Sequence, residues 1–174
     1  MPRALLCGLL VLGWLSRPPA ASAHHFTIDL KVQADKATKT ASAESAAPGV
    51  KPKPRGVLRV RAGTPITARW TLTNADAKTT YKDVLVHFFT VKINKAGQAT
   101  VPKLTQGVAA ESALTMDFRP KDATKGELTF TIDTPGVYLL RLETIGAAGT
   151  GPDAHEHFAA LDVVVEERAE KGSP

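Results

Sequence analysis

Residues 81–93 read YKDVLVHFFTVKI. In an extended chain successive side chains point to opposite faces, so Val84, Val86 and Phe88 share one side while Leu85, His87, Phe89 and Val91 share the other. Both sides are apolar. A strand that needs cover on both faces is expected inside a sheet rather than at its edge. Asn94-Lys95-Ala96-Gly97 then ends it with turn-forming residues. His87, grouped with Leu85 and Phe89, is expected to point into the core as a neutral, hydrogen-bonded group.

The same period extends outward from this stretch. Upstream, Ile66, Ala68, Trp70 and Leu72 fall on one face after a Gly63-Thr64-Pro65 turn, and Leu58 and Val60 alternate with arginines before it. Further upstream Phe26, Ile28, Leu30 and Val32 alternate strictly with polar residues. Downstream, Leu114, Met116 and Phe118 form one alternating set and Leu128, Phe130 and Ile132 a second. Thr134-Pro135-Gly136 turns into Val137–Leu142, and a last strand is expected over roughly 157–165. Residues 100–112 read as a loop with a helical turn. Short strands at turn-punctuated intervals, without an amphipathic helix, predict an all-β antiparallel sandwich.

Two local patterns sharpen that prediction. The run Pro135-Gly136-Val137-Tyr138-Leu139-Leu140 resembles the penultimate strand of immunoglobulin-like domains, and Arg69-Trp70-Thr71-Leu72-Thr73-Asn74 resembles an early core strand of bacterial immunoglobulin-like modules. The resemblance spans most of residues 63–165. It implies a sandwich of about seven strands, with Tyr138 hydrogen-bonding back across a corner. Leu140 stands where the second cysteine of an antibody domain would fall. The likeness is one of architecture, which does not fix function.

The first 23 residues, MPRALLCGLLVLGWLSRPPAASA, have a basic start at Arg3, an apolar run from Ala4 to Leu15 and the small triplet Ala21-Ser22-Ala23. This is the layout of a secretory signal peptide. The run is shorter than the ~20 residues a spanning helix needs. Cleavage after Ala23 removes 23 of the 174 residues and leaves 151, with no transmembrane segment expected afterwards. It also removes the only cysteine and two of the 22 basic residues, leaving 20 against 17 acidic ones, or +3. A secreted or periplasmic chain follows, without disulfide, thiol nucleophile or cysteine-metal site. Domain organisation is then signal peptide 1–23, first strand 24–33, an Ala/Lys/Pro-rich linker or loop 34–56, sandwich body 57–166 and polar tail 167–174. The linker has almost no large apolar residue and is expected to be flexible. It carries Lys36, Lys39, Lys51, Lys53 and Arg55 against Asp35 and Glu44. Weak contact with anionic envelope polymers would suit that charge.

Histidines are the one chemical lead. Cleavage would give His24 a free α-amine beside its imidazole, a chelating pair. His155-Glu156-His157 places two imidazoles on one face of an extended segment, and Asp153 stands two residues before His155. In an immunoglobulin-like topology the strand carrying His87 lies two strands from the last, so His24, His87, His155 and His157 could converge at one end. A mature N-terminal His with a late Asp-x-His looks like the periplasmic copper-resistance carriers. By that likeness His24, Asp153 and His155 would be Cu(II) ligands. The likeness covers only the two ends, and that family's early apolar and proline pattern does not follow His24. Without cysteine, a His/carboxylate site favours Cu(II), zinc or nickel over Cu(I).

Other chemistries lack their residues. G-x-S-x-G, P-loop and G-x-G-x-x-G motifs are absent. Asp83 and Asp117 abut apolar strands and read as strand-face or turn residues. A copper-dependent oxidative enzyme of the polysaccharide monooxygenase kind needs a flat, often aromatic, surface, whereas Trp70 and Tyr138 both read as core. Nucleic-acid binding lacks interleaved aromatics. The leading expectation is an exported, non-catalytic binding or structural module with a protein or cell-envelope partner, using a loop end or a sheet face. The alternative is a periplasmic copper or zinc protein built on His24, His87, Asp153, His155 and His157, and an oxidative enzyme comes last. No cofactor beyond such a metal is expected.

Overall fold

Strict alternation in Phe26–Ala34 buries Phe26, Ile28, Leu30 and Val32 and exposes Thr27, Asp29 and Lys31, and the same rule organises the remaining strands. A computed structural model describes residues 26–34, 36–42, 53–100, 108–145 and 157–168. These contain nine strands: β1 Phe26–Ala34, β2 Ala37–Ser42, β3 Val57–Arg61, β4 Ile66–Asn74, β5 Tyr81–Ile93, β6 Val108–Phe118, β7 Ala123–Phe130, β8 Gly136–Ile145 and β9 His157–Glu166. They form a four-stranded sheet ordered β2-β1-β4-β7 and a five-stranded sheet ordered β3-β9-β8-β5-β6. Every pair is antiparallel except β3 with β9. The result is an all-β sandwich of two sheets. No helix among the described residues is long and apolar enough to cross a membrane.

The core lies between the inner faces. Phe88 on β5 joins the two sheets: its ring stacks on Trp70 at 6.0 Å and meets Phe130 edge-on at 5.7 Å. Each fully buried side chain of this kind contributes about 1.5–3 kcal/mol. Trp70 finds room because its cross-strand partner is Gly126. A Cβ on Gly126 would stand 2.2 Å from the indole ring, so only glycine fits there. At the opposite end Phe26 packs against Phe118 and Tyr81 with centroids 5.1 and 5.3 Å away. The corner expected before the penultimate strand is present: the Tyr138 hydroxyl donates to the Thr134 carbonyl at 2.9 Å, and burial raises its pKa.

Four expectations need correction. The stretch 34–56 is not wholly a linker, because β2 lies within it and pairs with β1 from Ala34↔Ala37 to Asp29↔Ser42. Main-chain pairing to an already ordered strand supplies what the missing large side chains do not. Among the described residues the strands number nine where about seven were expected, β2 being the one the alternation had not marked. Residues 108–112 are part of β6 rather than a loop with a helical turn. His87 does not enter the core: parity groups it correctly with Leu85 and Phe89, but that is the outer face of the five-stranded sheet. Phe89, Val91 and Leu139 form a second, smaller buried cluster there, which is why β5 reads as apolar on both sides. The stretch expected to be a signal peptide (1–23), residues 101–107, the Gly-rich stretch from 146 and most of the tail lie outside the described residues.

Loop 75–80, which leaves β4, is built on Asp76. Its Oδ1 accepts the backbone N–H groups of Lys78 at 2.7 Å and Thr79 at 3.1 Å. Those donors, Lys78 first, hold the carboxyl pKa at about 2, below its ordinary value of 3.8. A depressed folded-state value means that ionised Asp76 stabilises the loop above the unfolded pKa. That contribution is lost as pH falls from about 3.8 through about 2. A carboxyl-carbon NMR titration is expected to give a midpoint near 2, with Lys78 and Thr79 amide shifts following the same curve. Asp76→Asn should abolish that amide transition.

Candidate functional site

The outer face of the four-stranded sheet is nearly all polar, and register sets its side chains in rows. Asp29, Thr71 and Lys125 stand opposite one another across β1, β4 and β7. The next row is Thr40, Lys31, Arg69 and Glu127 across all four strands. A third row follows with Thr38, Gln33, Thr67 and Thr129. Between the first two rows runs an open trough of about 780 Å³. Leu30, Trp70 and Gly126 form its floor, with Leu30 and Trp70 turning their side chains the other way, into the sandwich.

Elementary strand geometry fixes the dimensions. Same-face rows lie two residues apart, roughly 6.8 Å, and neighbouring strands about 4.8 Å apart, so the trough crosses four strands over roughly 14 Å. The Arg69 guanidinium is steadied by Glu127, Nε to Oε2 2.6 Å. With both side chains half exposed this pair contributes about 0–1 kcal/mol, so it orients Arg69 more than it stabilises the fold. One row below, the Thr67 and Thr129 hydroxyls share a hydrogen bond of 3.0 Å. Both walls offer donors and acceptors, and the five charged side chains carry three positive and two negative charges.

A different polar system lies on the outer face of the five-stranded sheet. His87 Nε2 faces Glu111 Oε1 at 2.8 Å and Nδ1 faces Glu143 Oε1 at 3.1 Å. Each ring nitrogen of His87 thus meets one carboxylate oxygen, one from β6 and one from β8. Glu143 is also paired with Arg141, whose guanidinium lies 4.3 Å from the centre of the Phe158 ring. Arg141 and Glu143 are 7% and 6% exposed, so this ion pair is largely withdrawn from water. Beyond it, Asp162 accepts Arg55 Nε at 2.8 Å and the Gly97 N–H at 2.6 Å. Arg55 also reaches the Thr100 carbonyl at 2.7 Å. Segments 53–56 and 94–100 are thereby folded across this face.

Of the histidines considered as metal ligands, two are described, and they are not brought together. His87 is on the outer face of β5. His157 opens β9 on the inner face, 4% exposed, with its ring edge-on to Phe26 at 5.8 Å. The sheet itself lies between them. His24, Asp153 and His155 fall outside the described residues, and among the described residues no three His, Cys, Asp or Glu side chains are grouped to hold a metal ion. Asp117 proves to be a bulge partner: its Oδ1 accepts the N–H of Asp83, which has a φ of 53°.

The trough residues escaped the sequence reading because none belongs to a motif. Their signal is that the outward positions of β1, β4 and β7 are nearly all polar, visible once register aligns them. No protein-family model matches the chain, and no curated protein does. Among solved structures the chain is similar to the C-terminal domain of Wzt, at 9% identity and a TM-score of 0.47, covering 84% of this chain and 76% of that one. It is also similar to Spo0M, a sporulation control protein from Bacillus subtilis, at 12% identity and a TM-score of 0.41, covering 80% of this chain but only 50% of Spo0M. These likenesses concern the all-β architecture, and what the surface does is read from this chain's own residues.

Proposed function

We propose that this chain is an exported, non-catalytic module of the cell envelope that holds an extended polysaccharide across the outer face of its four-stranded sheet. The trough carries the reading. A sugar chain is bound through many hydroxyls, and the walls offer hydroxyl, carboxylate, ammonium and guanidinium groups on both sides along its length. Those groups repeat at the strand spacing of about 4.8 Å, comparable to one pyranose residue of an extended glycan. Three such residues span the sheet. The buried ionic groups of the other sheet, Asp162 with Arg55 and Glu143 with His87 and Arg141, are engaged with one another in holding that face. The leader-like segment supplies the route to the envelope.

Affinity electrophoresis and calorimetry of residues 24–174 against neutral hexose polymers and hexuronate polymers test this. At least one class should be retained. Arg69→Ala combined with Lys125→Glu should weaken it at least tenfold without lowering the melting temperature by more than a few degrees, since both side chains point to solvent. Failure to retain either class, or undiminished binding by the double variant, would overturn the proposal.

A further inference from the structure

Of the four strand edges in this sandwich, three carry features that discourage pairing with another chain. β2 is 6 residues long and turns Lys39 toward its inner face; β3 is 5 residues long and displays Arg59 and Arg61; β7 contains Lys125 and Gly126. β6 is neither short nor basic, and its register irregularities lie toward its two ends. It runs 11 residues, VAAESALTMDF, without lysine, arginine or proline, and among the described strands it pairs with β5 alone. The two large apolar side chains exposed among the described residues, Val108 at 57% and Leu114 at 46%, both lie on it.

We infer that the free edge of β6 accepts an added strand from a partner protein, an extended segment alternating apolar and basic side chains. Pairing with β5 is regular from Ala110 to Met116, between irregularities at either end, so seven residues offer a straight ladder. The irregularity beside Ala109 sets Val108 opposite Val91 on the outer face, while Leu114, opposite Val86, is on the inner one. An added strand would therefore find one apolar side chain on each face. Leu114 stands 46% exposed on this face, between Ala110 and Met116, which pack against the core. Inner-facing apolar side chains of the newcomer would cover it.

Charge selects the partner. The ionic residues of β6 are Glu111 and Asp117, both acidic and both outward. Glu111 is 54% exposed even while it meets His87, so it remains open to a basic side chain from an added strand. Two copies of β6 are poorly matched to each other: antiparallel pairing centred on Leu114 sets Glu111 opposite Asp117 twice, like charges directly across the ladder. Main-chain hydrogen bonds would supply affinity, and the alternating side chains selectivity.

The probes are two synthetic nine-residue peptides, one alternating valine with arginine and one alternating valine with glutamate. The measurement is amide chemical shift and hydrogen exchange of the folded chain. The arginine peptide should perturb and protect amides of residues 110–116 and bind at least tenfold more tightly than the glutamate peptide. Leu114→Lys should weaken it at least tenfold at unchanged melting temperature, whereas the Arg69→Ala/Lys125→Glu variant should bind it normally, which separates this surface from the trough. Equal binding of both peptides, protection at β2, β3 or β7 instead, or self-association through β6 without peptide would overturn the inference.

Discussion

Asp162→Ala is expected to cost about 3–5 kcal/mol, a large share of the ~5–15 kcal/mol that holds a domain of this size together. The Asp162 side chain is 0% exposed and that of Arg55 6%, so neither has water to fall back on. Removing the carboxylate leaves a buried guanidinium without its counter-ion, and removes the acceptor of the Gly97 N–H. The damage should be directional. Segments 53–56 and 94–100 are fastened over the outer face by Asp162, by the Arg55 N–H to Gln98 carbonyl bond and by Arg55 to Thr100. Hydrogen exchange at Gly97 should therefore rise before global unfolding. Urea denaturation followed by circular dichroism gives the total.

A second variant separates the pair from its parts. Arg55→Met with Asp162→Leu removes both charges and restores apolar volume. Replacing a buried ion pair in this way is often neutral. Here the Gly97 N–H would still lack an acceptor, which costs about 1–3 kcal/mol. The double variant should thus be more stable than Asp162→Ala and less stable than the parent. A double variant as unstable as the single one would show that the loss comes from the Gly97 contact rather than from the stranded charge.

What the sequence disclosed follows the range of the forces involved. Alternation is local, so the inward residues of β1, β4 and β8 are legible, and Tyr138 is legible because its acceptor, Thr134, is 4 residues away. Register is not local. Arg69 and Lys125 are ordinary surface residues until β4 and β7 pair and set Thr71 opposite Lys125, one row from Arg69 and Glu127. His87 shows the limit most plainly. Its side of β5 could be assigned, but a strand apolar on both faces does not say which face is the core. Its partners Glu111 and Glu143 are 24 and 56 residues away. β2 failed for a related reason: ATKTAS has the alternation of a strand but too little apolar area to announce one, and only the presence of β1 gives its backbone a partner.

Asn74→Ala is the second large effect, at about 2–4 kcal/mol, because one side chain closes three elements at once. Asn74 ends β4 and is 0% exposed. Its Nδ2 donates to the Thr79 carbonyl at 2.9 Å and to the Arg119 carbonyl at 2.9 Å, while its Oδ1 accepts the Asp76 N–H at 2.9 Å. Its own backbone N–H donates to the Asp122 carbonyl at 2.9 Å. Loop 75–80, which carries the chain from β4 to β5, is thus tied to the turn at 119–122, where it leaves β6 in one sheet for β7 in the other. Alanine strands two carbonyls and an amide with no side chain to replace the amide group. Asn74→Asp distinguishes the roles: it keeps the acceptor for Asp76 N–H but turns both donors into oxygen facing oxygen, and should be no more stable than alanine. Asp76→Ala should cost much less, since that carboxylate lies in water. Thermal and urea unfolding of the three variants measure the order. A cost for Asn74→Ala no larger than that for Asp76→Ala would mean that water replaces the amide, and that the junction between the sheets is held by backbone pairing alone.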